Sequence, residues 1–144
     1  MGLLRIAEIP PPTVESQVTV LDAVGVMSRN RVGAVVVVEE NALVGIFTER
    51  DLMLRVVLER RDPAAILVRD VMTYDVMTVT EASTHDEASK LMLVERLRHL
   101  PILSSDGKVL GLLSIRALLE ERLEDLHREM SSLEQYMAND GPGG

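Results

Sequence analysis

The segment GIFTERDL, residues 45–52, places a hydroxyl and a carboxylate three residues apart, directly after a run of apolar residues. Thr48 and Asp51 match a capping box, in which the hydroxyl accepts from the backbone of the third helical residue and the acid accepts from the backbone of the cap. The same pair can serve a ligand, because a carboxylate offers two acceptor oxygens and a helix start offers free N–H groups to polar or anionic groups. The spacing alone leaves both roles open.

A related segment, GLLSIRAL, recurs at residues 111–118. Ser114 keeps the hydroxyl, but Ala117 stands where the carboxylate would be. A helix start tolerates this loss, whereas a site that depends on the carboxylate does not. If the carboxylate serves a ligand, we therefore expect one competent site in the chain, at Asp51.

The two segments belong to an internal repeat that spans most of the chain. Residues shared at equivalent positions are Thr13, Val14, Thr19, Ala23 and Met27 in the first copy, and Thr78, Val79, Thr84, Ala88 and Met92 in the second. Gly45 and Gly111 are one position further apart in the sequence than Met27 and Met92 are. This difference predicts a one-residue insertion in the second copy, between the first helix and the strand that follows it. One copy is close to the lower limit for burying its own core, so we expect two copies packed face to face.

Each copy predicts the order strand, helix, strand, strand, helix. Thr19 and Thr84 each stand three residues before an acid, as in a capping box, and mark the first helix of each copy. Apolar runs at residues 34–38 and 43–47, like their counterparts in the second copy, are typical of buried strands. The predicted fold class is α/β, with two β-α-β-β-α units packed as a pseudo-symmetric pair and a long C-terminal helix.

The predicted units span residues 8–61 and 67–122. A helix continues from the second unit over residues 115–138, and residues 139–144 are predicted to be a disordered tail. Apolar residues recur along this helix at intervals of four and three, as in a coiled-coil seam, at Leu119, Leu123, Leu126, Met130, Leu133 and Met137. The seam is short, so packing on its own domain and pairing between subunits both stay open.

Composition limits the classes of function. Hydrophobic residues make up 47% of the 144 residues, enough to bury a core, while aromatic residues make up only 2%. The net charge of −8 and the scarcity of stacking platforms argue against nucleic-acid binding. The chain has no cysteine, which excludes disulfides, and no apolar run approaches a membrane span. We expect a cytoplasmic protein with neither nucleic acid nor membrane as a partner.

No familiar catalytic motif occurs in the sequence. It contains no P-loop, no GxSxG elbow and no HExxH pair, and its three histidines lie far apart. The acidic residues fall on predicted helix faces, where solvated charge is usual. We therefore predict a protein that is not an enzyme and that uses neither a metal nor a cofactor.

The repeat contains three characteristic segments, namely GIFTERDL, DVMT at residues 70–73, and RHLPIL at residues 98–103 followed by DGKVLGLLSI at residues 106–115. With these segments, the repeat resembles tandem CBS domains, named after cystathionine β-synthase. The resemblance covers about residues 8–122 and extends to small stand-alone bacterial CBS-pair proteins. It implies a pseudo-symmetric pair that dimerises into a disc. It also implies that adenosine-containing ligands bind in clefts between the units.

The resemblance implies a set of binding residues as well. Asp51 takes the role of accepting both ribose hydroxyls, and Gly45 and Thr48 complete the family's motif. The further residues implied are Arg50, Thr13, Val14, Gly33, Ala34, Val35, Arg98, His99, Ser114 and Arg116. Arg98 and His99 are candidates for phosphate contacts, but they are equally typical of a surface charge and a half-buried histidine.

Two functions follow from these residues. The first is a regulatory module that binds an adenosine-containing nucleotide and relays a conformational change, either within a homodimer or to an unknown effector protein. AMP, ADP, ATP, S-adenosylmethionine and NAD share the adenosine group, so the sequence does not choose among them. The alternative is a ligand-free homodimeric interaction or adaptor protein.

Overall fold

The computed structural model describes residues 2–139 and contains two similar units. The first unit is built from β1 (Thr13–Glu15), α1 (Val20–Asn30), β2 (Ala34–Glu39), β3 (Ala42–Thr48) and α2, which has one α-helical turn (Glu49–Asp51) and a π-helical segment (Leu52–Val57). The second is built from β4 (Val79–Thr80), α3 (His85–Glu95), β5 (His99–Leu103), β6 (Val109–Ser114) and α4 (Ile115–Asn139). Short 3-10 turns precede the units at Leu3–Arg5 and Val68–Asp70. The predicted α/β class and the predicted order of elements are confirmed.

The two three-stranded sheets share one topology and one register. In each, the central strand pairs in parallel with the first strand and antiparallel with the third. Val37 lies opposite Gly45 in the first sheet, and Ile102 lies opposite Gly111 in the second. The same number of residues separates the first helix from the central strand in both units, so the predicted insertion between these two elements is wrong. The extra residue lies in the β5–β6 hairpin, whose turn includes Gly107 at a φ of +85°.

Threonine caps begin the first helix of each unit. Thr19 accepts from the N–H of Asp22 at 3.1 Å, and Thr84 accepts from the N–H of Glu87 at 3.1 Å. The reciprocal bond, from the cap N–H to the acid, forms at Thr84 with a length of 3.3 Å. Within residues 2–139 it does not form at Thr19, whose backbone makes a bridge with Leu67 instead.

The segment before each unit packs on the opposite unit. Leu3 is fully buried in the core of the second unit, and Glu8 pairs with Leu112 of β6 through backbone bonds of 2.9 and 3.1 Å. The linker between the units does the same to the first unit, where Thr73 pairs with Ile46 of β3 through bonds of 2.9 and 3.0 Å. The residues that this linker buries in the first core are Val68, Val71 and Met72. Each core is therefore completed by a segment that precedes the other unit.

A third apolar cluster joins the two sheets. It contains buried residues of β2, β3 and β6, namely Ala34, Val36, Val38, Ile46 and Leu112. Successive side chains of a strand point to opposite faces. On β2, Val35 and Val37 therefore enter the core of the first unit, while the alternate residues enter the cluster between the sheets. Burial on both faces explains why this strand is a continuous apolar run.

Within the described residues, only the first turns of α4 pack on the rest of the chain, against the second unit and the N-terminal segment. Leu118 is buried, and the buried carboxylate of Glu121 is held by Arg5 and lies 3.3 Å from Nδ1 of His85. The seam side chains stay exposed by 41 to 65%, at Leu119, Leu123, Leu126, Met130, Leu133 and Met137. The seam thus does not pack on its own chain. The predicted disordered tail lies outside the described residues, except for Asn139, which ends α4.

None of the helices in residues 2–139 combines the length and the apolar character needed to cross a membrane.

The burial of Leu3 leads to a prediction about stability. Leu3→Ala should lower the free energy of unfolding by about 2 to 5 kcal/mol, because it leaves a cavity in the second core. Urea unfolding measures this change. Leu93→Ala is the matched control, since Leu93 is 79% exposed, and it should change the free energy by less than about 0.5 kcal/mol. Equal effects of the two variants would contradict the packing of the N-terminal segment.

Candidate functional site

The carboxylate of Asp51 is the centre of the candidate site. It lies at the start of α2 and is only 6% exposed. Its Oδ2 accepts from the N–H of Thr48 at 3.0 Å and from the Thr48 hydroxyl at 3.2 Å, while the N–H of Asp51 donates to that hydroxyl at 3.2 Å. The predicted capping box is therefore complete at this helix. The cap accounts for Oδ2 and leaves Oδ1 for other partners.

Two residues that the sequence analysis did not select contact the other carboxylate oxygen. The hydroxyl of Thr73 donates to Oδ1 of Asp51 at 3.0 Å, and Nε of Arg55 lies 3.8 Å from the same oxygen. Arg55 could have been found from its spacing of four residues along the helix. Thr73 belongs to the DVMT segment, but only the pairing of the linker with β3 brings it to Asp51.

Gly33 marks a contact between the two units. A Cβ at this position would overlap the carboxylate of Glu49 and would lie 3.2 Å from Cε1 of His99, so glycine leaves room for both side chains. The carbonyl of Gly33 also accepts from the N–H of Glu49 at 3.0 Å. The first residue of α2, in the first unit, thus lies close to the first residue of β5, in the second unit. Glu49 is a further residue that the sequence analysis missed.

His99 is half-buried at this contact. Burial lowers the pKa of its imidazole below the usual 6.5, the Glu49 carboxylate opposes that change, and the Arg98 guanidinium adds to it. The histidine is therefore mainly uncharged at neutral pH. Arg50 lies in the first turn of α2, and Arg98 directly precedes β5. Both guanidinium groups are exposed and add positive charge near these two positions.

The remaining predicted residues of the first unit lie in the strands of its sheet. Gly45 packs against Met72, whose side chain occupies the space that a Cβ would need. The backbone of Thr13 lies opposite Val36, and that of Val14 lies opposite Val37. The side chains of Ala34 and Val35 are fully buried, so only their backbone groups are available to a ligand.

The second unit lacks the acceptor at the equivalent place. Ser114 accepts from the N–H of Ala117 at 3.1 Å, so the helix cap is retained without the acid. Arg116 is exposed and forms an ion pair with Glu120 at 2.9 Å. Both helix starts are therefore capped by a hydroxyl, but of these two equivalent positions only the one at Asp51 carries a carboxylate.

Similarity to known proteins extends over most of the chain. A mitochondrial CBS domain-containing protein of Arabidopsis thaliana is 39% identical over 119 residues, which cover 76% of this chain. An uncharacterized protein of Methanopyrus kandleri is 38% identical over 95 residues, which cover 65% of it. The chain spans 57% and 48% of the length of these two relatives, respectively.

Solved structures have the same fold. A putative signal-transduction protein with CBS domains from Burkholderia ambifaria is 35% identical, with a TM-score of 0.79 over 87% of this chain and 96% of that chain. A CBS domain protein of Pyrobaculum aerophilum complexed with AMP is 24% identical, with a TM-score of 0.74 over 81% of this chain and 89% of that chain. A CBS domain pair in complex with 5-methylthioadenosine and S-adenosylmethionine is 19% identical, with a TM-score of 0.79 over 87% of this chain and 98% of that chain. At these last two identities the likeness concerns the fold.

The two units of this structure correspond to two matches with one family. The CBS domain matches residues 6–58 and again residues 68–124, which together make up well over half of the chain. Their common topology, their shared register and the relatives above agree with this assignment. The chain belongs to the CBS domain family, as a tandem pair of CBS domains.

Proposed function

We propose that this CBS pair is a regulatory module that binds an adenosine-containing ligand between its units, with Asp51 as the acceptor for the ribose hydroxyls. The observation that carries the proposal is the buried carboxylate at the start of α2, in a fold whose solved members include complexes with AMP and S-adenosylmethionine. A carboxylate can accept from both hydroxyls of a vicinal diol, and such charge-assisted bonds are the stronger kind.

The charges near the cleft favour some adenosine ligands over others. Arg50 and Arg98 attract a phosphate, whereas Glu49 repels it. A ligand with one phosphate, or with a cationic group, meets less repulsion than a triphosphate does. We therefore propose AMP or S-adenosylmethionine ahead of ATP.

A second candidate function rests on the exposed apolar residues. The seam on α4, the exposed Met53 and Val57 on the π-helical segment of α2, and the exposed Leu58 directly after it are suited to protein contacts. In this alternative the chain is a homodimeric interaction protein that binds no ligand. Dimerisation is compatible with both functions, and the cytoplasmic location stays a prediction.

Replacement of Asp51 by asparagine tests the proposed acceptor. Asp51→Asn keeps the size of the side chain but removes the charge and one acceptor group, so AMP should bind at least about tenfold more weakly, a loss of about 1.4 kcal/mol in binding free energy.

Titration calorimetry should also find one tight site per wild-type chain, because Ala117 replaces the acid in the second cleft. Two equal sites would contradict this stoichiometry.

The control for Asp51→Asn is Asp22→Asn, which changes an acid at the same helical position of α1. Asp51→Asn disturbs the bonds from Thr48 and Thr73 and should lose about 1 to 3 kcal/mol of stability, whereas Asp22→Asn, at an acid that accepts no bond from its cap in the described part of the chain, should lose about 0.5 kcal/mol or less. Only Asp51→Asn should lose binding. Unchanged affinity in Asp51→Asn, or no binding of AMP, adenosine or S-adenosylmethionine to the wild type, would leave Asp51 as a helix cap and favour the interaction protein.

His99 should make the stability of the ligand-free protein depend on pH. Because burial lowers the pKa of His99 below 6.5, the unfolded chain binds a proton more readily than the folded chain does. The stability that comes with a buried, uncharged His99 is fully present above the pKa of 6.5 expected in the unfolded chain. This stability is lost as the pH falls below 6.5. Thermal unfolding from pH 8 to pH 5 should thus show a shallower pH dependence in His99→Gln than in the wild type. A steeper dependence in the variant would reverse the sign and contradict the burial.

The seam on α4 predicts a homodimer. Leu126→Glu with Met130→Glu places charge within the seam, whereas Ser131→Glu with Gln135→Glu adds the same charge on another face of the helix. Light scattering at micromolar concentration should show a dimer for the wild type and for the second pair, and a monomer for the first pair. A dimer in all three proteins would place the main contact elsewhere, and a monomeric wild type would refute dimerisation.

A further inference from the structure

The oxygen atoms of Asp51 have few acceptor positions left for a ligand. Oδ2 accepts two bonds from Thr48, at 3.0 and 3.2 Å, and Oδ1 accepts one bond from the hydroxyl of Thr73 at 3.0 Å. A carboxylate has about four lone-pair positions in all. A vicinal diol needs two of them, so one of the bonds within the protein must break when both hydroxyls bind.

We propose that the Thr73 hydroxyl occupies the position on Oδ1 of Asp51 that a ribose hydroxyl takes, so that the ligand must displace Thr73. Thr73 then sets the affinity of the site without being needed for binding. This inference rests on the proposed function, because it assumes that Asp51 accepts from a ribose.

The bond from Thr73 is easier to break than the bonds from Thr48. Thr48 and Asp51 form the capping box that closes the start of α2, and loss of these bonds exposes the helix end. Thr73 comes from a separate segment and is only partly buried. Its hydroxyl can leave by rotation about χ1, because the backbone of Thr73 is held independently by Ile46 through bonds of 2.9 and 3.0 Å.

Displacement of Thr73 affects the linker between the units. Arg55 of α2 donates to the carbonyls of Val71 and Met72 at 3.2 and 2.8 Å, so Arg55 and Thr73 together connect α2 to three successive linker residues. A ligand that takes the place of Thr73 removes one of these connections. Binding at Asp51 thereby changes the side-chain contacts between α2 and the segment that leads into the second unit.

The second unit offers a comparison without this device. Glu8 pairs with Leu112 as Thr73 pairs with Ile46, and Ala117 lies where Asp51 lies. The hydroxyl donor and the carboxylate acceptor are thus both replaced at this place in the repeat. The pair Thr73 and Asp51 differs from its counterpart at both positions, which is expected if the two side chains act together.

Two substitutions of Thr73 test the inference. Thr73→Ala removes the hydroxyl and opens space beside Oδ1, so AMP should bind about threefold to tenfold more tightly than to the wild type. Thr73→Ser keeps the hydroxyl and should bind within about twofold of the wild type. Thr78→Ala, further along the same linker, is the control for loss of a threonine and should not tighten binding. Titration calorimetry with AMP, and with adenosine as a second probe, measures all four proteins.

Each result separates this inference from the proposed function. If Thr73→Ala binds AMP more weakly and Thr73→Ser restores the affinity, Thr73 positions Asp51 and the inference is overturned. Equal affinity in Thr73→Ala and wild type also overturns it, while Asp51 remains the acceptor. If the wild type binds none of the probes, the proposed function falls, and the inference with it.

A spectroscopic measurement on the wild type covers the case in which Thr73→Ala does not fold. The methyl resonance of Thr73 should shift on addition of AMP, because χ1 rotation moves the methyl group relative to Asp51. A resonance that stays unchanged at saturating AMP would overturn the displacement of Thr73.

Discussion

The exchange of segments between the units is the constraint on which the rest of the structure depends. Leu3 completes the core of the second unit, and the linker residues Val71 and Met72 complete that of the first. A unit of this size buries too little apolar surface to fold well alone. Because each core needs a segment that precedes the other unit, the two units are expected to fold together, and the relative positions of their strand and helix starts are fixed by the same packing.

This packing gives Asp51 its two roles. The cap at Thr48 needs only local residues and would exist in an isolated helix, but the contact with Thr73 exists because the linker pairs with β3. Donors from two separate segments therefore hydrogen-bond the buried carboxylate, which limits the cost of burying it. A ligand that competes with these donors for the carboxylate acts on the exchange itself and not only on a surface group.

The sequence predicted the elements well because their signals are local. Capping at Thr84 and the continuous apolar run of β2 are signals from neighbouring residues, and the repeat and the family followed from motifs at fixed spacing. It did not predict the burial of Leu3, the contact of Thr73 with Asp51 or the approach of Glu49 to Gly33, since each joins residues that only the tertiary packing brings together. The insertion was misplaced because a repeated glycine reveals a change in spacing but not the loop that absorbs it.

The pseudo-symmetry makes the differences between the units informative. Backbone register and helix caps are the same at both places, so packing alone does not require Asp51 in one unit and Ala117 in the other. Glu49 likewise has Ile115 as its counterpart at the first position of the following helix. The polar and charged groups are thus concentrated in the first cleft, while the second keeps the fold and loses the acceptor. Two helix starts of one architecture but unlike chemistry would let a ligand that needs the carboxylate, as proposed above, act on one side of the pair only.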